Sequence, residues 1–246
     1  MALSAPSAID IVDGTVTSPG VLEPDRLLAF AASPSSLVVL RRIGEAPDGM
    51  SVEAEAVTQL QGVIYGDSDP EADVTEHAVF QSVASRLPED AVWIITNLRR
   101  TRQTAEAIGH AGYDLPQLLV EPDLREQGFG RWHGLRHDEH NATRDDPFIG
   151  IWNCAPRDVP PGGESFVQLM ARVHAAIDRI TAQHAGRDIV CVAHGGTIRA
   201  ALALALDLSP ELALAFGIDN VSITRIERVN HPHAQALRWR VRGVNL

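Results

Sequence analysis

Three residue types in this sequence stand where they could handle an anion: the arginines Arg42 and Arg100, and His194, which is followed at once by Gly195 and Gly196. Arginine presents a planar fork of donors that matches phosphate or carboxylate oxygens, and it stays charged at any relevant pH. Two such groups make an oxyanion clamp. The glycines after His194 let backbone approach a ligand closely, and a helix beginning there would favour negative charge at its amino terminus, with the Gly195 amide as a donor. Phosphoryl chemistry needs little beyond positioning, charge stabilisation, a nucleophile and a proton donor for the leaving oxygen. Glu126 is the candidate donor, because Phe129 and Trp132 in LREQGFGRWHG could desolvate it and favour its protonated form.

These residues must be positioned by something. Three short apolar runs have strand length and β-branched content: Leu37 to Leu40, Val92 to Ile95 and Ile189 to Val192. Helical patterns follow at Thr75 to Leu87, Arg102 to His110, Ser165 to His184 and Thr197 to Leu206, with a shorter one at Asp25 to Ala32, while Glu53 to Gly66 is ambiguous. Two alternating runs, Val221 to Val229 and Ala236 to Val244, close the chain and read as an edge hairpin. Buried strands interleaved with helices predict an α/β fold, a three-layer, mostly parallel sheet with helices on both faces. Ligands in such sheets bind beyond the carboxyl ends of the strands, which is where Arg41 to Glu45, Arg99 and Arg100, and His194 to Gly196 fall. The expected organisation is an arm or partly ordered extension over residues 1–36 and one α/β domain over 37–246.

Composition narrows the chemistry. With 246 residues, 45% hydrophobic and 22% charged, the chain is an ordinary globular one. A net charge of −11 disfavours nucleic acid or an anionic membrane as partner, so an anionic ligand must be met locally. All 21 cations are arginine. Without lysine there is no phosphate-loop lysine and no Schiff-base mechanism. No apolar run reaches bilayer length, and the first residues lack a secretion signal, so a cytoplasmic location is expected. Two cysteines, Cys154 and Cys191, give no disulfide framework. No cofactor is implied, and a homodimer is compatible with the sequence.

At these residues the chain resembles the histidine phosphatase superfamily, the phosphoglycerate mutase-like proteins. TNLRRTRQTAEAI is similar to the family segment with the second clamp arginine, here Arg100, and LREQGFGRWHG to its acidic segment, here Glu126. PPGGESF resembles the loop before a long helix, and VAHGGTIRA carries the second active-site histidine, here His194. LQGVIYGDSD and VTEHA resemble the stretch after the first motif. The resemblance implies a phosphate pocket of Arg42, Arg100, His194 and the Gly195 amide, a phosphorylated metabolite or inorganic phosphate as ligand, and phosphatase or mutase ancestry.

The first motif departs from the family. An Arg-His-Gly-Glu sequence, whose histidine takes the phosphoryl group, is replaced here by LVVLRRIGEAPDG, with Ile43 at the nucleophile position. The ten histidines stand at 77, 110, 133, 137, 140, 174, 184, 194, 231 and 233. Isoleucine has no lone pair and cannot accept a phosphoryl group, so the double-displacement route is closed there. Three readings stay open: a degenerate phosphatase that binds a small phosphorylated metabolite, an active phosphomonoesterase using His194 and Glu126, and a difference at residues 41–43 from the natural protein.

A rival from another class uses His133, His137 and His140, whose i, i+4, i+7 spacing would share a helix face and could hold a divalent metal. Gly134 weakens that helix and no H-E-x-x-H pattern accompanies it, so exposed histidines are the expectation and no metal is assigned. Arg199 reads as a structural or surface group, and Gly162, Gly163 and Glu164 as a turn and helix entry.

Overall fold

A computed structural model describes residues 63–229 and 238–246 in full, together with the backbone of four earlier strands. Those strands are β1 (Ile11–Val12), β2 (Thr15–Val16), β3 (Ser36–Ile43) and β4 (Pro47–Ala54). They are followed by α1 (His77–Ala84), β5 (Val92–Ile95), α2 (Arg99–His110), β6 (Leu118–Val120), α3 (His137–Asn141), α4 (Phe166–Gln183), β7 (Ile189–Ala193), α5 (Gly195–Leu206), α6 (Pro210–Leu214), β8 (Ser222–Arg228) and β9 (Trp239–Gly243). The main sheet has the order β6-β5-β7-β3-β4-β8-β9, and β6, β5 and β7 run parallel.

Alternation along two strands builds the layers. Ile94 of β5 with Ile189, Cys191 and Ala193 of β7 packs against the buried faces of α4 and α5. Their neighbours Trp93, Ile95, Val190 and Val192 point the other way, onto α1 and α2. Because side chains alternate across a strand, an all-apolar run buries both faces and requires helices on both. The α/β, three-layer class is therefore realised, with an antiparallel β8–β9 hairpin at the edge.

Local chemistry sets the helices. Phe166, Leu169, Met170, Val173, Ala176, Ile177 and Ile180 recur at helical spacing and are the buried stripe of α4. Its start is fixed by a capping box: Ser165 accepts from the Gln168 amide, and Gln168 accepts from the Ser165 amide. The alanine-rich α5 buries Ala200, Ala201 and Ala203, small side chains that let it lie close to the sheet. Helix α2 begins at Arg99 and not at Arg102, so Arg99 and Arg100 belong to its first turn.

The first strand differs from expectation. It does not end at Leu40 but continues through Ile43, because β4 pairs back on it and gives its backbone partners at Arg41↔Gly49, Arg42↔Asp48 and Ile43↔Pro47. Strand β3 runs antiparallel to β7, with Leu40 opposite Ile189. Residues 41–43 therefore extend past the amino-terminal end of β7, whereas His194 follows its carboxyl end. It is β4 that runs parallel to β7 towards His194, with Ala54 opposite Ala193. The side chain of Arg42, residues 44–46, the Asp25 to Ala32 candidate and nearly all of the proposed arm lie outside the described residues, as do 55–62 from the ambiguous stretch.

Candidate functional site

Register creates the site. Parallel pairing sets Ile95 opposite Val192, so the residues leaving the carboxyl ends of β5 and β7 emerge side by side. Thr96 Oγ1 and His194 Nε2 meet at 3.0 Å. Arg100, in the first turn of α2, reaches His194 Nδ1 with Nη2 at 3.4 Å. A guanidinium can only donate, so Nδ1 accepts and the ring proton sits on Nε2, directed at Thr96. Thr96 is itself braced by Thr101 Oγ1 at 3.3 Å.

Arg100 and His194 are both fully buried. A buried guanidinium must have its donors answered, and backbone does much of this: Arg100 donates to the carbonyl of Gly66 at 2.8 Å and to that of Ser68. The Tyr65 ring lies 5.5 Å from its charge centre. Gly66 has φ +46°, and a Cβ there would stand 2.4 Å from the Gln127 carbonyl, so this close approach of backbone requires glycine.

Glu126 arrives from the other side. A 3-10 turn over Pro122–Leu124 leads the chain across the start of α5. One Glu126 oxygen accepts from its neighbour's amide at Gln127 (2.8 Å), the other from the Gly196 amide (3.0 Å). A carboxylate at the amino-terminal turn of α5 is favoured by unpaired amides and the helix dipole. Sequence reasoning offered a general acid for Glu126, and its contacts are those of a helix cap. Gly195 and Glu126 nonetheless both line a cavity of about 200 Å³ with Tyr65, Phe129, His137, Trp152, Asn153, Arg199 and Asn220. Phe129 accompanies Glu126 in that wall; Trp132 does not, and its ring lies tilted against that of His140, with centroids 4.4 Å apart.

Two arginines were undervalued by the sequence. Arg199, read as a structural or surface group, is a structural one: it is half-buried, its Nε donates to the Phe216 carbonyl at 2.8 Å, and its charge centre sits 4.8 Å from the Trp152 ring. Burial pushes its pKa down to about 10, opposed by the nearby Glu126 charge, so it remains a cation at neutral pH. Arg172 of α4 collects the carbonyls of Asp123, Arg125 and Glu126 and pairs with Glu164, fixing the segment that delivers Glu126. Gly162 and Gly163 form the expected turn, and a Cβ on Gly163 would meet the Gly128 carbonyl at 2.2 Å.

The three-histidine alternative does not assemble. Gly134 adopts φ +85° and α3 begins only at His137, so His133 is not on that helix. His133 Nε2 approaches Asp67 and the Phe129 amide, while His140 Nε2 bonds the Asn153 carbonyl at 2.8 Å. Nor are they exposed: His140 is buried and the other two are half-buried. Among the described residues no group of three His, Cys, Asp or Glu gathers to hold a metal ion.

The profile of the histidine phosphatase superfamily, branch 1, matches residues 53–241. Phosphoglycerate mutase-like protein 4 of Arabidopsis thaliana is 34% identical over 140 residues, covering 55% of this chain and 60% of that protein. The metal-independent phosphoserine phosphatase of the same plant is 31% identical over 152 residues, covering 59% and 60%. The chain thus spans well short of the full length of these two relatives. Glucosyl-3-phosphoglycerate phosphatase of Mycolicibacterium vanbaalenii is 28% identical over 204 residues, covering 77% and 88%. Among solved structures, a mycobacterial glucosyl-3-phosphoglycerate phosphatase complexed with VO3 superposes with a TM-score of 0.63 at 26% identity, over 87% of this chain and 99% of that one.

Proposed function

The chain belongs to the histidine phosphatase superfamily, and on that premise we propose that it is a degenerate phosphatase that binds a small phosphorylated metabolite at the β5–β7 edge. The observation that supports this reading is the contact chain Thr96–His194–Arg100 beside Glu126 and Gly195, where a guanidinium, an imidazole and a helix amino terminus share one end of two parallel strands. In this reading Arg100 and the Gly195 amide hold phosphate oxygens, His194 turns its Nε2–H from Thr96 to one of them, and Glu126 fixes the start of α5. Phosphate entering the site takes over donors that Arg100 otherwise gives to carbonyls.

Hydrolysis is absent in this reading because the phosphoryl acceptor is missing. No histidine occurs before His77, so neither β3 nor β4 can supply one at a strand end. The reading gives Arg42 no role, since its side chain lies outside the described residues. Relatives named as phosphatases, and a relative solved with inorganic phosphate at 25% identity and a TM-score of 0.63, support a phosphorylated ligand.

The test is a thermal melt with inorganic phosphate or vanadate beside a p-nitrophenyl phosphate assay. Stabilisation by either anion that His194→Gln and Arg100→Lys both weaken, with turnover at the buffer rate, is the expected result. No stabilisation by either anion overturns the reading. Turnover lost in both His194→Ala and Glu126→Gln would replace it by the active phosphomonoesterase.

A further inference from the structure

Tyr65, Gly66 and Glu126 line the cavity of about 200 Å³ beside the start of α5, but Arg100 and His194 do not. Both of the latter are fully buried, and Arg100 is engaged by a turn of backbone from Tyr65 to Ser68. That turn is closed on itself by the Ser68 amide, which donates to the Tyr65 carbonyl at 2.8 Å. Nη2 of Arg100 donates to the Gly66 carbonyl and Nη1 to the Ser68 carbonyl, so both arms of the guanidinium fork are taken by it. These are the arms a phosphate needs for two parallel hydrogen bonds. The two carbonyl oxygens also carry partial negative charge, which repels a dianion from the guanidinium they face.

The turn hangs between two fixed points. Ile64 exchanges backbone hydrogen bonds with Gly134 and Leu135, at 2.7 and 2.9 Å. On the other side Asp69 is tied to Arg99, its carboxylate accepting from the backbone amide at 2.8 Å and its carbonyl from Nε at 2.9 Å. The tip between them is pinned by Asp67, whose carboxylate lies 3.1 Å from His133 Nε2 and 3.9 Å from Arg125 Nε. Ion pairs that water reaches are weak, so the tip can move while both ends stay bonded. We propose that the Tyr65–Ser68 turn is an autoinhibitory strap: it occupies the donor fork of Arg100 and must swing off before phosphate binds, with Asp67 as its latch. The inference rests on the phosphate-binding reading above and adds the regulation of that site. The apparent affinity for phosphate is the intrinsic affinity reduced by the fraction of molecules whose strap is open.

The experiment combines calorimetric binding of inorganic phosphate with backbone hydrogen exchange over residues 65–69, on the full chain and on Asp67→Asn. The substitution removes the charge of the latch and keeps its shape. Saturating phosphate is expected to speed exchange over 65–69 in the unmodified chain, the reverse of the protection that a ligand gives to a segment closing over it. Asp67→Asn should bind phosphate about two- to fivefold more tightly, the worth of an exposed ion pair, and should exchange faster there before phosphate is added. Binding by the variant alone also supports the strap. Loss of a merely structural contact would weaken binding, so equal or weaker binding by the folded variant overturns the inference. Phosphate bound to the unmodified chain with exchange over 65–69 unchanged or slowed overturns it as well, and leaves the phosphate site standing. Phosphate bound by neither protein removes the phosphate site and the strap together. Should Asp67→Asn not fold, exchange in the unmodified chain still decides.

Discussion

Glu126 and Gly196, separated by 70 residues of sequence, are locked together at the start of α5: the Gly196 amide donates to the Glu126 carboxylate at 3.0 Å. A Cβ on Gly196 would stand 2.2 Å from the other carboxylate oxygen and 3.0 Å from Leu169. The helix entry and the acidic segment are thereby fitted to each other without room for a methyl group. Whatever the site binds, it does so against this joint.

Gly196→Ala should therefore destabilise the fold by about 1–3 kcal/mol, because the carboxylate cannot yield without losing a buried hydrogen bond. Denaturant midpoints measured at constant m-value report this. An unchanged midpoint would mean that Glu126 moves freely and is not pinned by the helix.

Arg172→Ala removes the only described side chain that gathers the carbonyls of Asp123, Arg125 and Glu126, and it strands the half-buried Glu164. A loss of about 2–4 kcal/mol is expected from orphaned carbonyls and an unpaired carboxylate. Ligand affinity should fall as well, since Glu126 loses its support. Arg172→Lys, a point charge without the fork, should recover only part of the stability.

Stability should decline as pH falls from about 7 towards 5. Burial lowers the pKa of His174, whose Nε2 bonds the Ala200 carbonyl, and likewise that of His137 and His184. A base with a depressed folded pKa is neutral in both states at higher pH, and its contribution is intact there. Below the ordinary imidazole range the unfolded chain takes the proton first, so stability is lost until the folded pKa is passed. His174→Gln, which keeps a donor for Ala200, should flatten the slope of melting temperature against pH between these limits.

Cys154 is buried and its thiol is pushed up to about 11, chiefly by desolvation. Cys191 is buried within β7, and neither cysteine forms a disulfide. The native chain should react slowly with a disulfide reagent such as DTNB, and both thiols should titrate at once in denaturant. Rapid reaction of the native protein would show that the segment around Cys154 opens locally.

Short-range physics was legible in the chain. The apolar runs 92–95 and 189–192 had to be strands buried on both faces, and the helical pattern read from Ser165 onward met α4 at its N-cap. His194 and Arg100 could be placed at strand ends because period and punctuation are local properties, and parallel pairing then brought them together. Partner choice over long separations was not local. Whether β3 or β4 runs alongside β7 towards His194 depends on which backbone ladder forms, and alternation alone does not distinguish a strand from its hairpin mate. The environment of Arg199 was hidden for the same reason: an arginine one turn into a helix looks solvated until Trp152 and Phe216, from distant stretches, close around it. Sequence determined which groups are available and which elements carry them. Tertiary structure decided which donors are already satisfied and which still face a cavity, because burial and hydrogen-bond partnership are set by neighbours that lie close in space and far apart along the chain.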